Sequence, residues 1–419
     1  MVGAMWRGAI SKSRLRWLEG LISHGRHDVR CFGDEPIIGA YTPITKKLWL
    51  ERIQHAKGTP ADSPAPTELI SRPPKTTTIM YPFDKDYELK QQYCNPWNYM
   101  RVGRILEDLD SLAGNIAYEH CDDGNQNTRI PVLVTAAVDQ IRLKESVRLD
   151  GPVSMFGQAV WTGRSSMDIK MEIMQGDNPV PNLAAMFTFV ARDAVSGKSC
   201  PINPLTPQTD SERAVFAERQ AVHDKRRKLR ETHKSNARRV SDADKELCEG
   251  LLAKGQRVKD LPALSCGEDM LMADTSMQNI FICQPQQRNI HGRMFGGFLM
   301  RRAFELAFST SYMFGGSRPA FQMVDDIIFR RPVNIGDLLR FSSRVKHVGL
   351  GHNRTSATIV VEVVAAVMQP ERLSTEVANT FDFVFKIEGD RILKEVVPAT
   401  MEEAQAMLPY QSSGSTLGD

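Results

Sequence analysis

Apolar residues recur with a helical period in two stretches of the chain. In residues 100–117 they lie three or four positions apart, as in an amphipathic helix: Val102, Ile105, Leu106, Leu109, Leu112 and Ala113. Residues 297–313 are apolar on almost every side, and a helix of that composition is buried. The pattern therefore predicts two helices, the second of them wrapped by other elements.

Alternating segments rich in β-branched residues follow each helix and predict strands. After the first helix they are Val132–Ile141, Val153–Trp161, Asp168–Met174 and Met186–Val190. After the second helix they are Ala320–Phe329, Leu338–Val348, Thr355–Val367 and Thr380–Lys386. Because a helix and a sheet each bury an apolar face when they pack together, the simplest assembly is one central helix in a curled antiparallel sheet, formed twice.

Short words recur in the same order in the two halves, which indicates an internal duplication. The offset between matching words grows from 186 to 194 residues, as loop insertions would cause. The matching words are VDQI at 138–141 with VDDI at 324–327, residues 164–173 with 354–363, and FTFV at 187–190 with FDFV at 381–384.

Composition predicts a leader and a connecting linker outside the two repeated units. Residues 1–30 are cationic and amphipathic, which is typical of a mitochondrial transit peptide; a solvated basic arm is the alternative. Helix formers dominate residues 208–256 and predict a connecting helix with a solvated basic face. The predicted divisions are a leader at 1–30, an extended arm and linker at 31–80, a first domain at 81–200, a helical basic linker at 201–270, a second domain at 271–395 and a tail at 396–419.

Composition and charge exclude several classes of protein. The 419 residues are 42% hydrophobic and 25% charged, as in soluble globular domains. The net charge of +3 comes mainly from the leader, so the body is near neutral and is not expected to bind nucleic acid. No apolar run is long enough for a membrane-spanning helix. Seven widely spaced cysteines without a CxxC pair argue against a disulfide framework and a zinc site.

Two motifs in the second half resemble those of hotdog-fold acyl-CoA thioesterases. Residues 289–300 (NIHGRMFGGFLM) look like the N-x-x-G-x-x-[HF]-G-G loop that leads into the hotdog helix. Residues 329–337 (FRRPVNIGD) are similar to the R-P-V-x-x-G-D strand turn. With two such units, a long linker and a basic leader, the chain looks most like the mitochondrial acyl-coenzyme A thioesterase 9/10 type.

This resemblance covers roughly residues 90–390 and carries several expectations. It implies an α+β fold of two tandem hotdog domains in a double-hotdog arrangement. It implies hydrolysis of fatty acyl-CoA to fatty acid and CoA, with no metal and no cofactor beyond water. It also implies a mitochondrial location, in the matrix or on the inner membrane, and a homo-oligomer built as a trimer of double-hotdog units.

Thioester hydrolysis needs an activated water and donors for the oxygen that becomes negative. Amides at a helix amino terminus supply donors, and glycines there let a carbonyl approach the backbone. Gly296 and Gly297 fit this role, with tight helix packing as the alternative. By the resemblance, a carboxylate lies about fifteen residues after the asparagine of the motif. From Asn95 this position is Asp110, whereas from Asn289 it is Phe304, which cannot move a proton.

Each half therefore has the part that the other lacks. Because hotdog sites lie between paired units, the resemblance implies one competent site in which Asp110 activates water, although direct attack by its carboxylate stays open. Asn289 would orient the water or the thioester, and the amide of Gly296 or Gly297 would polarise the carbonyl. The reverse pairing of Asn95 with Glu305 would be a degenerate second site. Further candidate substrate contacts are His291, Arg293 and Phe295.

Other interpretations of the same residues stay open at this point. Glu107, Asp108 and Asp110 form an acidic cluster that could be a solvated helix face. His291, if paired with an aspartate, would suit a CoA-thioester hydratase on the same fold. The weak motif of the first half would suit a non-catalytic acyl-CoA-binding sensor or assembly module. An α/β-hydrolase thioesterase is disfavoured, because the chain has no G-x-S-x-G motif.

Overall fold

In the computed structural model each half contains one long helix followed by antiparallel strands. The first half contains α1 (Pro43–Ala56), β1 (Thr76–Tyr81), α2 (Tyr87–Tyr93), α3 (Val102–Cys121), β2 (Val132–Leu143), β3 (Val153–Thr162), β4 (Ser166–Gln175) and β5 (Leu183–Arg192). Two helices follow, α4 (Asp210–Ser235) and α5 (Asp242–Asp260). The second half contains β6 (Asp269–Leu271), β7 (Met277–Ile282), α6 (Gly296–Gly315), β8 (Ala320–Val324), β9 (Ile327–Phe329), β10 (Leu338–Leu350), β11 (Ser356–Gln369), β12 (Ser374–Glu388), β13 (Glu395–Val397) and α7 (Met401–Gln411).

The structure does not describe every part of the chain. The described residues are 41–56, 63–64, 68–125, 127–176, 178–235, 242–261, 263, 267–325, 327–351 and 354–411. The predicted leader at 1–30 lies outside them, as do parts of the predicted extended arm and linker at 31–80.

Eleven of the described strands form one continuous antiparallel sheet. Its order is β1-β3-β4-β5-β2-β8-β12-β11-β10-β7, and β9 pairs with both β2 and β12. The halves join at the centre, where Ile141 pairs with Val324 and Val138 pairs with Ile327. These residues belong to the repeated words VDQI and VDDI. The two segments that indicate the duplication therefore pair with each other where the halves meet.

The two long helices cross inside this sheet. Leu109 and Leu112 of α3 are fully buried, so α3 is as enclosed as α6, and more so than its amphipathic pattern suggested. Glycine makes the close crossing possible: a Cβ on Gly297 would lie 2.8 Å from the backbone Cα of Glu107. Arg301 of α6 lies 3.1 Å from the Glu107 carboxylate and joins the two helices by charge as well.

Residues 43–56 form a helix, so the prediction of an extended arm across 31–80 is wrong there. Thr42 caps this helix by accepting a hydrogen bond from the Thr45 amide at 3.0 Å, and Pro43 occupies its first position. Leu48 and Trp49 are buried against the rest of the core. The cap and the proline are ordinary helix-start signals that the sequence already contained.

The connecting segment is helical as predicted, but its basic face is not wholly solvated. Arg219 of α4 donates to Asp139 at 2.6 Å and to the buried Asp168 at 2.7 Å. Arg226 lies 2.9 Å from Asp139. These ion pairs fasten α4 to the outer face of the sheet, where His223 stacks on Trp161 with the ring centroids 3.8 Å apart. No helix among the described residues is long and apolar enough to cross a membrane.

Candidate functional site

The loops that lead into α3 and α6 have the same hydrogen-bonded turn. The Asn289 side-chain oxygen accepts from the backbone amides of His291 and Arg293, at 2.9 and 3.1 Å. The Asn95 oxygen accepts from the corresponding second and fourth residues after it, both at 3.0 Å. Both asparagines therefore shape their loops through the side-chain oxygen, which leaves the amide nitrogen as the group that could meet a substrate or water.

Asp110 lies at the contact between the two halves. Its Oδ2 accepts a hydrogen bond of 2.7 Å from the backbone amide of Gly297, in the first turn of α6. Its Oδ1 accepts one of 2.9 Å from the hydroxyl of Thr135 on β2. The residue is only 4% exposed. The structure thus brings the carboxylate of one half to the helix amino terminus of the other.

Burial and hydrogen bonding act in opposite directions on this carboxyl group. Burial raises the pKa of Asp110 to about 6, because a charged carboxylate loses the solvation of water. The hydrogen bonds from Thr135 and Gly297 and the charge of Arg52 oppose that rise. The carboxylate is therefore ionised at neutral pH, with a pKa near the range in which a general base is effective.

Arg52 is a site residue that the sequence analysis missed. It lies on α1, is mostly buried, and donates from Nη2 to the carbonyl oxygen of Ser111 at 2.9 Å. Burial lowers its pKa to about 10, and the nearby Asp110 charge opposes that change, so Arg52 stays cationic. The helix-start signal at Thr42 and Pro43 could have predicted α1. No signal in the sequence predicts that Arg52 lies near Asp110.

A cavity of about 600 Å³ surrounds Asp110, and we call it the Asp110 cavity. His291 and Arg293 are exposed at its rim, whereas Phe295 is buried and packs on Trp49 with the ring centroids 4.9 Å apart. Phe295 is therefore fixed as part of the cavity wall. The predicted residues that line the cavity are Asp110, Asn289, His291, Arg293, Phe295 and Gly296.

The two glycines at the start of α6 have different surroundings. The Gly297 amide is occupied by Asp110, whereas Gly296, the first residue of the helix, has no intrahelical acceptor for its amide. A Cβ on Gly296 would lie 2.9 Å from Oδ2 of Asp110. Gly296 therefore lines the cavity directly beside the Asp110 carboxylate, while Gly297 holds that carboxylate through its amide.

The other two carboxylates of the acidic cluster are also buried, so a solvated helix face is wrong for all three residues. Asp108 is fully buried and accepts hydrogen bonds from four hydroxyl groups, those of Thr42, Thr45, Tyr81 and Tyr93. Glu107 pairs with Arg301 and Arg104, and burial raises its pKa to about 7. Both therefore act in the packing of α3, away from the lining of the Asp110 cavity.

The predicted second site has no corresponding carboxylate. Phe304 occupies the position on α6 that Asp110 occupies on α3, and it packs edge-on against Phe321 with the ring centroids 5.3 Å apart. Glu305 is held by Arg101 at 3.1 Å and by Arg302 at 3.3 Å. Asn95 and Glu305 do line a common cavity, of about 720 Å³, which we call the twin cavity.

Several known proteins are similar to this chain in sequence. The thioesterase superfamily model matches residues 102–181, in the first half, although the motifs that carried the resemblance lie in the second. Acyl-coenzyme A thioesterase 2, chloroplastic, of Humulus lupulus is 43% identical over 88% of this chain and 88% of its own. Acyl-coenzyme A thioesterase 4, mitochondrial, of the same species is 44% identical over 88% and 72%.

Acyl-coenzyme A thioesterase 9, mitochondrial, of Homo sapiens is 35% identical over 80% of this chain and 75% of its own length. The chain therefore belongs to the acyl-coenzyme A thioesterase family and fits its 9/10 type. The predicted α+β fold of two tandem hotdog domains is confirmed.

Proposed function

We propose that this protein hydrolyses fatty acyl-CoA to a free fatty acid and CoA at the Asp110 cavity, with water as the only other reactant. The observation that carries the proposal is the 2.7 Å hydrogen bond from the Gly297 amide to Asp110. This bond holds a buried, ionised carboxylate at the amino terminus of a helix. The surrounding cavity is large enough for a thioester and a water molecule. Membership of the acyl-coenzyme A thioesterase family supports the same reaction.

Asp110 acts as the general base in this mechanism. It takes a proton from water while the water oxygen bonds to the thioester carbonyl carbon, and the carbonyl oxygen becomes an oxyanion. The free amide of Gly296 donates to that oxyanion, and the helix dipole favours its charge. The C–S bond then breaks, the CoA sulfur takes the proton from Asp110, and the acid is released. The side-chain nitrogen of Asn289 orients the water or the thioester.

Arginine side chains around the mouth of the Asp110 cavity suit the phosphates of CoA. The exposed residues Arg192, Arg293 and Arg330 line this cavity, and Arg52 adds a positive charge inside it. Guanidinium groups bind phosphate through paired, charge-assisted hydrogen bonds. The anionic part of the substrate therefore stays at the rim while the thioester reaches Asp110.

The purified full chain, incubated with acyl-CoAs of increasing acyl length, tests this function. We expect one free thiol for each thioester consumed, together with the fatty acid identified by mass spectrometry. A hydratase acting through His291 would instead add water to an unsaturated acyl-CoA without releasing thiol. A sensor would bind acyl-CoA unchanged. Either of these results would overturn the proposal.

Mitochondrial location, in the matrix or on the inner membrane, is a further part of the proposal. The cationic, amphipathic residues 1–30 support it, as do two relatives that are named as mitochondrial proteins. Imaging of the full chain fused at its carboxyl terminus to a fluorescent protein, followed by fractionation of the organelle, tests the location. Signal in a plastid, as the name of another relative would suggest, would contradict it.

Three copies of the double-hotdog chain are proposed to form the functional oligomer. Apolar side chains on the two edge strands support further packing, since Met80 on β1 and Ile280 and Ile282 on β7 are all more than half exposed. Light scattering on the purified protein should give three times the chain mass of 47.0 kDa. A stable monomer would contradict this assembly.

A further inference from the structure

The twin cavity is the counterpart of the Asp110 cavity in the internal repeat. Asn95 stands in it where Asn289 stands in the Asp110 cavity, and the two asparagines form the same turn. Trp97 replaces His291 and Tyr99 replaces Arg293 at the same distance along the loop. The internal repeat therefore contains two corresponding cavities, which are lined by different side chains.

Aromatic rings replace the polar groups of the Asp110 cavity in the twin cavity. Phe304 stands in place of Asp110, Phe321 in place of Thr135, and Phe308 in place of Gly114. The walls therefore contain no group that could activate water at the catalytic position. They form instead a chamber in which apolar surface predominates, with room for a chain of methylene groups.

The twin cavity is an open space with a predominantly apolar lining. Protein interiors pack closely, and unfilled apolar space forfeits dispersion contacts along its lining. Trp97 and Tyr99 line the cavity with 38% and 36% of their surface exposed, and Trp97 packs on Phe308 with the ring centroids 5.9 Å apart. The open volume of about 720 Å³ is therefore a feature that an apolar ligand would stabilise.

A cation marks the opening of the twin cavity. The guanidinium of Arg318 lies over the rings of Trp97 and Tyr99, 5.3 and 5.6 Å from their centroids. It makes no ion pair with any residue that the structure describes, whereas the other arginine of the lining, Arg101, is paired with Glu305. An apolar chamber with one uncompensated cation at its mouth suits an apolar chain that ends in an anionic group.

We propose that the twin cavity binds a fatty-acyl chain with an anionic head and does not hydrolyse it. The chain lies against Ile105, Phe304, Phe308 and Phe321, and the head meets Arg318. Two molecules share this chemistry, a free fatty acid and a fatty acyl-CoA. The twin cavity is separate from the Asp110 cavity, so this binding does not depend on hydrolysis and can be measured without it.

Binding stoichiometry with the fluorescent fatty acid cis-parinaric acid tests the site in the full-length protein. We expect two equivalents bound for each wild-type chain, one in each cavity. Ser309→Trp fills the twin cavity from the exposed face of α6 and should reduce the number to one. Arg318→Gln should weaken the second equivalent about tenfold, because a charge-assisted contact is lost. Arg257→Gln, the same change at an exposed residue of α5, should alter neither.

The rate of thiol release at low acyl-CoA concentration serves as the folding control. It should be unchanged in the Ser309→Trp and Arg318→Gln variants, since neither residue lines the Asp110 cavity. A single wild-type equivalent that the active Ser309→Trp variant retains would overturn the proposal. Two equivalents that persist in the active Ser309→Trp variant would overturn it too, because the second ligand would then lie elsewhere. Failure of thiol release in the wild-type protein would instead count against the proposed hydrolysis.

Competition identifies the source of the acyl chain. Palmitate, the thioether analogue of palmitoyl-CoA, and CoA alone are each used to displace parinaric acid from the second equivalent. Displacement by palmitate assigns the site to the free acid. Displacement by the thioether but not by palmitate assigns it to acyl-CoA. Both results support the proposal. Equal displacement by CoA alone would overturn it, because the acyl chain would then contribute nothing.

Discussion

Asp110 on α3 and Gly297 at the start of α6 lie 187 residues apart in the chain and are joined by a hydrogen bond of 2.7 Å. Neither half has this arrangement by itself, because the first half lacks the double glycine and the second has Phe304 in place of the carboxylate. The proposed site is therefore a property of the pair. This contact leads to the first predictions.

Replacing Asp110 with Asn should abolish most of the hydrolysis. The amide cannot take a proton from water, and general bases contribute about 10²–10⁴-fold to such rates. We expect kcat to fall by that amount while the melting temperature changes little, because the new side chain keeps an oxygen that can accept from the Gly297 amide. Asp150→Asn, the same change on an exposed turn, is the control. A wild-type rate of thiol release in the Asp110→Asn variant would contradict the assignment.

The pH dependence of kcat/KM should report the pKa of Asp110. Since the base must be ionised, the rate should rise with pH through about 6. Thr135→Val removes a hydrogen bond that favours the charged form, so it should raise this pKa and move the rising limb to higher pH. Stopped assays from pH 4.5 to 9 measure both profiles. An identical limb in the two proteins would mean that another group controls it.

The two glycines of α6 should respond differently to replacement by alanine. A Cβ at Gly297 would meet the backbone of Glu107 at 2.8 Å, so Gly297→Ala should lower the free energy of unfolding by about 1–3 kcal/mol and reduce the rate as well. A Cβ at Gly296 would meet mainly the Asp110 carboxylate, so Gly296→Ala should reduce kcat with a stability change below about 1 kcal/mol.

Urea unfolding and thiol release measure these two quantities. Gly151→Ala serves as the control, because a Cβ there would contact nothing within 4 Å. Equal stability losses in the Gly296 and Gly297 variants would contradict the separate roles.

Arg52 should act as a positioning residue through its charge. Its guanidinium lowers the pKa of Asp110, so Arg52→Gln should shift the rising limb of kcat/KM to higher pH and reduce the rate at pH 6 several-fold. Arg52→Lys keeps the charge and should restore much of the original profile. A purely structural role would lower the melting temperature and leave the position of the limb unchanged.

Asp108 should matter for stability rather than for chemistry. Its replacement by Ala leaves the buried hydroxyls of Tyr81, Tyr93, Thr42 and Thr45 without their acceptor. Each unsatisfied buried group costs about 1–3 kcal/mol, so the free energy of unfolding should fall by at least about 3 kcal/mol. Urea unfolding measures the change, with Asp150→Ala as the control. A loss below about 1 kcal/mol would contradict this role.

Much of the architecture could be predicted from local patterns. The two central helices and the principal strands have periods that sequence alone shows, since burial of one face imposes that spacing. The duplication could also be predicted from the sequence, because corresponding elements of the two halves bury similar apolar residues at similar positions. The helix α1 was missed although Thr42 and Pro43 mark its start. Residues 57–78, which are rich in Pro, Thr and Ser, follow closely and favour an extended chain.

What the sequence by itself determined is thus the repeated unit, its family and the residue types available for chemistry. Only the tertiary structure decided which of them meet: Asp110 with Gly297 and Thr135, Arg52 with the same carboxylate, and Arg219 with Asp139 and Asp168. The physical reason is that periodicity records which face of an element is buried, whereas these contacts depend on how separate elements cross. The same crossing makes Asp110 a buried carboxylate with a raised pKa, a property that no residue has in the sequence alone.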